Sequence, residues 1–161
     1  MPLSDSLKSE ITSLIVTTTP TTVSVVDPVC ELAIDFKAIE NLSCSLSEFR
    51  LNVPTLSSAG TDELQQWAND LCQQVTYLLE NIGTLEIDPT SQQVLIRSTP
   101  ADKQAAGTRY YEIILANQTG GRFTLRRYES IAGTAGRQPV DMTITHEVLY
   151  KLVDDLVATI P

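Results

Sequence analysis

Apolar residues recur along this chain in two rhythms, every three to four residues in three stretches and every second residue between them. The first helical stretch sets Leu3, Leu7, Ile11, Leu14 and Ile15 on one stripe, and with Ser4 as cap it predicts a short helix over residues 4–16. The second stripe runs through Leu64, Trp67, Ala68, Leu71, Cys72, Val75, Leu78, Leu79 and Ile82, opposite a face of Gln65, Gln66, Asn69, Asp70, Gln73 and Gln74. Thr61 is placed to cap that helix and Gly83 to stop it. The last stripe, from Val148 and Leu149 to Ile160, starts behind Thr145 as cap, with Ile144 and Leu149 spaced as a hydrophobic staple.

The alternating stretches predict strands. From Val23 the pattern turns to alternation, and Cys30, Leu32, Ile34 and Phe36 share one face. The return strand alternates as Leu42, Cys44, Leu46, then changes phase to Phe49, Leu51, Val53, so a one-residue bulge near Ser47 and Glu48 restores a single apolar face. The register so predicted sets Phe36 against Leu42, Ile34 against Cys44 and Cys30 against Phe49. A tight hairpin returns from Leu85 and Ile87 through residues 88–91 to Val94 and Ile96, and a polar loop spans 99–108. A longer hairpin, 109–117 with 122–130, sets Phe123 against Leu115, Leu125 against Ile113, Arg126 against Glu112 and Tyr128 against Tyr110. Val140, Met142 and Ile144 read as one further strand.

Strand runs broken by two helices, without a βαβ rhythm, predict an α+β fold: a single antiparallel sheet of about seven strands with amphipathic helices on one face, in the order α-ββ-α-βββββ-α. Residues 1–22 read as a helix on the Thr/Pro-rich tether 17–22, and residues 23–161 as one α+β domain. A helix this short is marginal alone, so it is expected to cover an apolar surface of its own sheet or of a second copy. A homodimer through that helix or through an unpaired strand edge is therefore one expectation.

Two stretches share a plan of hairpin, Phe-x-Leu, loop and Thr-x-Glu helix. Phe49 and Leu51 lead to Thr61 and Glu63, and Phe123 and Leu125 lead to Thr145 and Glu147. The helix starts lie 84 residues apart and the Phe-x-Leu pairs 74 apart. Duplication with an insertion and coincidence of a common unit both stay open.

Composition then narrows the chemistry. The 161 residues, 42% apolar, suit one domain with a core. A net charge of -9 argues against general nucleic-acid binding and against anionic membranes. The N-terminus has no basic lead with an apolar block, and no run reaches the ~20 apolar residues of a spanning helix, so a cytoplasmic protein is expected. Cys30, Cys44 and Cys72, at no metal-like spacing and each on an apolar stripe, predict unpaired, unreactive thiols in a reducing compartment.

The charge is unevenly spread. Residues 97–137 hold seven basic against three acidic side chains, and the remainder four against 17. Arg109, Arg122, Arg126, Arg127 and Arg137 are the candidate binding residues, because guanidinium suits bidentate contact with carboxylate or phosphate and stacking on aromatics. The competing expectation is that they pair with Glu112, Glu129 and acidic helices. Residues 132–137 have a phosphate-loop composition without its spacing, and read as a connection. His146, the sole histidine, has no nucleophile in relation to it and reads as a surface residue in the first turn of the last helix. Trp67 reads as core. No catalytic residues, cofactor or metal ligands are expected.

In size, acidity, short first helix and helix-covered sheet the chain is similar in outline to the small acidic chaperones of bacterial secretion systems, although no motif is shared and the strand count differs. The expected function is that of a non-enzymatic, small acidic cytosolic protein-binding module, adaptor or chaperone-like. It would bind a partner polypeptide through the arginine-bearing sheet face or an exposed sheet edge. The alternative is a pocket protein for a small anion held by Arg109, Arg126 or Arg127, either a binding protein alone or an enzyme of unknown class.

Overall fold

A computed structural model describes residues 2–78, 82–98, 102–104, 107–117 and 120–161, leaving aside the side chains of Leu85 and of residues 102–104. Three helices are α1 (Leu3–Ser13), α2 (Thr61–Gln74) and α3 (His146–Thr159). Ten strands are β1 (Thr21–Val26), β2 (Glu31–Ile39), β3 (Ser43–Asn52), β4 (Ile82–Asp88), β5 (Gln93–Ser98), β6 (Asp102–Gln104), β7 (Gly107–Ala116), β8 (Arg122–Ile131), β9 (Gln138–Val140) and β10 (Met142–Thr145). All pair antiparallel in one sheet, whose main path is β1-β2-β3-β8-β7-β5-β4. The class is α+β, as the two rhythms predict.

One face of that sheet carries the core. Leu32, Ile34, Phe49, Leu51, Val94, Ile96, Ile113, Leu115, Phe123 and Leu125 are all buried, and the helices add Leu7, Ile11, Leu64, Trp67, Leu71, Leu149, Leu152 and Leu156 to the same cluster. The three helices form one layer: α1 touches α3 and β1, α2 touches α3, β4, β5 and β7, and α3 also touches β10. The first helix thus covers its own chain.

Several expectations need correction. α1 starts behind Pro2 and ends at Ser13, and Ser4 is a buried helical residue, not its cap. The stretch 17–22 is bound into the sheet: Thr17 bridges Ile39, and Thr21 and Thr22 open β1, so the alternation from Val23 is a strand of its own, paired with β2 and not continuous with it. The threonine run that stops the helix by β-branching has the same property that favours an edge strand. The first hairpin turns later in the chain than predicted, beyond Ile39, which pairs with Cys44, and this sets Phe36 opposite Leu46, Ile34 opposite Phe49 and Leu32 opposite Leu51. The bulge at Ser47 is present, and a second extra residue, Lys37, sits on β2. Two bulges, one per strand, change phase on both sides, so Ile39 and Cys44 are buried while Leu42 is left exposed.

α2 ends at Gln74, with Val75 as its C-cap, rather than continuing to Ile82. β-branched Val75 and Thr76 weaken the helix, and Ile82 and Gly83 are taken by pairing with Ser98 and Arg97. Gly60 precedes the helix at the cap position, and the Thr61 side chain makes no capping bond. The predicted loop 99–108 lies partly outside the described residues; within it Asp102–Gln104 pair with Gly107–Arg109. The long hairpin has the predicted register throughout, with Leu115 opposite Phe123 and Glu112 opposite Arg126.

The strand read across Val140 to Ile144 is two strands. β3 and β8 pair only over Phe49–Asn52 and Arg122–Leu125. Beyond that β9 pairs with β8 and β10 with β3, so residues 138–145 lie between the two strands where they part. The Ser47 bulge lies between these two pairings of β3, where a bulge adds bend and twist to a strand. Thr145 caps α3 as predicted, its hydroxyl accepting from the Val148 amide at 3.2 Å. His146 is buried, not at the surface: its amide donates to the Leu42 carbonyl, and Nε2 donates to the Ser43 carbonyl at 3.0 Å. The hairpin tip of β2 and β3 closes over it, which a helix-end reading did not foresee.

Candidate functional site

The face of the sheet away from the helices carries a continuous polar network. On β2 Asp35 accepts from the Thr22 hydroxyl of β1 at 2.8 Å and takes a two-pronged contact from Arg50 of β3, at 2.7 and 3.2 Å. Arg50 also reaches Glu48 at 2.9 Å, and Glu48 receives Arg126 of β8 through Nε at 2.6 Å. Arg126 donates to the Tyr128 hydroxyl at 3.4 Å. The Arg137 guanidinium lies over the Tyr128 ring at 3.8 Å and donates to Glu112 of β7 through Nη2 at 3.1 Å. Arg97 of β5 completes the row, bonding Glu112 at 3.2 Å and standing 5.1 Å from the centre of the Tyr110 ring.

The network explains why charged residues are tolerated where strands are packed. Glu112 is only 4% exposed, and two guanidinium groups hold it. Arg50 beside Asp35 keeps that carboxyl below its ordinary range, and hydrogen bonds to acceptors raise the affinity of Arg50, Arg126 and Arg137 for their protons.

The five candidate arginines do not form one free patch. Arg109 is exposed and pairs with Glu129 at 3.4 Å. Arg126 is taken by Glu48 and Arg137 by Glu112. Arg127 is buried, with its guanidinium 4.3 Å from the Tyr111 ring centre. It shares strand parity with Phe123 and Leu125 and so faces the helix side, which corrects the expectation that it shares one arginine-bearing face with Arg126. Arg122 is exposed and borders a hollow of about 180 Å³ with Glu31, Arg50 and Asn52. The opposite register of Arg126 and Glu112 is present, yet their charges pair elsewhere, because Glu48 and the 132–137 loop bring closer partners from outside the hairpin. Gly133 and Gly136, at φ +80 and +81, let that loop turn back over the sheet.

Beside this network a cavity of about 290 Å³ opens over β4, β5 and β7. Leu95 and Ile114 give it an apolar lining, and Glu86, Asp88 and Glu112 face it with Arg97 and Arg137. Three carboxylates against two guanidiniums leave no surplus positive charge for an anion. Among the described residues no group of three or more His, Cys, Asp or Glu side chains could hold a metal ion. Burial pushes the Cys30 and Cys44 thiols up to about 12, with Asp27 adding to the effect at Cys30, and burial also raises Cys72. All three cysteines are unpaired. No described helix is long and apolar enough to cross a membrane.

The two outer strands of the sheet differ. β4 carries Glu86 and Asp88 and a register irregularity between Thr84 and Glu86. β1, Thr-Thr-Val-Ser-Val-Val, has no charged residue, no proline and no bulge, and among the described residues its only strand partner is β2. Val16 and Ile15 before it and Val26 and Val29 at its far end are exposed, Val16 and Val26 by 64% and 67%. The alternation that begins at Val23 belongs to this edge strand, which is separate from the strand carrying Leu32, Ile34 and Phe36.

Comparison with protein-family models, with curated proteins and with solved structures finds no match in any of the three.

Proposed function

We propose that the chain is a non-enzymatic, small acidic protein-binding module, adaptor or chaperone-like, that takes up a partner polypeptide as an added strand along β1. The observation that carries this reading is the unguarded state of that edge. Natural sheets blunt outer strands with charges, proline, bulges or cover, because a free row of backbone donors and acceptors recruits other chains. β4 has charges and an irregularity, whereas Thr21–Val26 of β1 holds no charge, proline or bulge. Strand addition needs only backbone groups and alternate side-chain positions, so it places no demand on the arginines already paired across the sheet. Unpaired thiols suit a reducing compartment such as the cytoplasm.

The test is hydrogen exchange on the full chain with and without a panel of extended synthetic peptides. Protection is expected at β1 amides, and S24K/V26K, two exposed positions on one face of that strand, is expected to lose binding while keeping its thermal midpoint. Binding that survives in S24K/V26K, or protection confined to other strands, would overturn the reading. The anion alternative is disfavoured by the acid surplus in the cavity over β5 and β7.

A further inference from the structure

We infer that the segment taken up by β1 is basic, with apolar residues at alternate positions; this rests on the strand-addition reading. The alternation follows from the faces of β1. Val23 and Val25 are buried, and α1 lies against β1 on that side, so side chains of an added strand that fall on the same face extend the core and must be apolar. Thr22, Ser24 and Val26 on the other face are exposed, and the neighbours they receive stay in water.

The charge follows from the surroundings of the edge. Residues 1–40, which supply α1, β1 and β2, hold six acidic side chains and two lysines, and the whole chain carries -9. β1 itself is neutral, so nothing in the strand opposes either sign at contact. The surrounding field sets the preference: it draws in a cationic segment and repels a second copy of this chain, which brings the same acidic end to the same edge.

The experiment uses the full chain and labelled peptides of about ten residues, longer than the strand so that its whole length is met. One peptide alternates valine and lysine, a second has the same composition with the valines in a block, and a third alternates valine and glutamate. A fourth repeats the first with alternate backbone nitrogens methylated. Fluorescence anisotropy is expected to show the alternating basic peptide binding at least about tenfold more tightly than the block and acidic peptides, and weakening between about 50 and 300 mM salt. If the acidic or block peptide binds as tightly as the first, the assigned partner chemistry is wrong while strand addition stands. Undiminished binding of the methylated peptide, or no binding by any peptide, would overturn strand addition and this inference together. A solution mass of twice 17.7 kDa, with β1 protected from exchange before any peptide is added, would assign the edge to a second copy and overturn the inference.

Discussion

The ring of Phe49 meets that of Phe123 edge to face, with centroids 5.8 Å apart and planes at 82°. These are the leading residues of the two Phe-x-Leu pairs, and they meet because β3 and β8 adjoin with Phe49 opposite Leu125 and Leu51 opposite Phe123. That register is unchanged by exchanging the strands about Arg50 and Thr124. The repeated plan therefore closes on itself at the middle of the sheet, where Trp67 of α2 also packs on Phe123 at 6.3 Å.

Replacing Phe123 by alanine should cost about 3–5 kcal/mol, since the ring is fully buried and its neighbours are held by the sheet. Phe49→Ala should cost a similar amount. The double variant should fall short of the sum by about 0.5–1.5 kcal/mol, the part due to the ring pair itself. Urea denaturation of the four chains measures this directly. Strict additivity would show that the edge-to-face contact adds nothing beyond burial.

Trp67 is fully buried and its indole N–H donates to the Thr159 hydroxyl at 3.2 Å, tying α2 to the end of α3. Thr159→Val keeps the shape and removes the acceptor, leaving the indole donor unsatisfied, and should cost about 1–3 kcal/mol. Trp67→Phe in that background should cost less than in the parent, because the orphaned donor is then gone. Emission from this sole tryptophan should be blue-shifted in the folded chain and should report the same unfolding midpoints as far-UV circular dichroism.

Glu112 and Arg137 should respond unequally to mutation. Glu112→Ala removes a buried carboxylate shared by two guanidinium groups, each 37% exposed and so still partly solvated, and should cost about 2–4 kcal/mol, the loss of two charge-assisted contacts discounted for solvent. Arg137→Ala leaves Glu112 with Arg97 and gives up stacking on Tyr128, from a side chain that is 37% exposed, so it should cost about 1–2 kcal/mol. Equal losses would mean that the loop arginine, not the buried carboxylate, organises this part of the face.

The α+β class, the register of the 107–131 hairpin and the Thr145 cap were legible in sequence because each rests on local spacing. Periodicity at Ile113, Leu115, Phe123 and Leu125 fixes which residues share a face, and the short turn leaves one register that satisfies both strands. What lay beyond reach was decided by tertiary pairing. The stripe from Val75 to Ile82 continues at helical spacing, yet β5 takes Ile82 into the sheet. Lys37 bulges on β2 without a phase signal as plain as that of Leu46 and Phe49 on β3. The arginine excess in 97–137 was visible, but not that Glu48, far away in the chain, would meet Arg126. The β1 edge was hidden because a threonine run with a proline reads equally as tether and as strand.

Gly121 and Gly133 separate steric from conformational demand. Both have positive φ, +57 and +80. A Cβ on Gly121 would lie 2.3 Å from Leu56 Cβ and 2.7 Å from the Val53 carbonyl oxygen, which itself lies in the segment that bonds back to Gly121. Around Gly133 there is open space. Gly133→Ala should thus cost only the left-handed penalty of about 1–2 kcal/mol, and Gly121→Ala clearly more, because backbone must move as well. Thermal midpoints of the two variants decide it; similar values would mean that the 53–56 segment yields freely.

Stability should fall at both ends of the pH range for different reasons. Burial holds the Cys30 and Cys44 protons until about pH 12, whereas the exposed thiols of the unfolded chain release theirs around the ordinary value of 9.0. Between those two values the folded chain binds more protons than the unfolded one, so stability is fully present below about pH 9 and declines as pH rises towards 12. Tyr77, raised by burial and by its hydrogen bond to Asp155, acts in the same direction. Asp35 is the opposite case: Arg50 lowers it below its ordinary 3.8, so its contribution is present above that value and is lost as pH falls through the folded pKa. Urea midpoints across pH for the parent, C30A/C44A and D35N should show the alkaline decline flattened only in the cysteine variant and the acid decline flattened only in D35N. An alkaline decline unchanged in C30A/C44A but removed by Tyr77→Phe would assign that limb to the phenol alone.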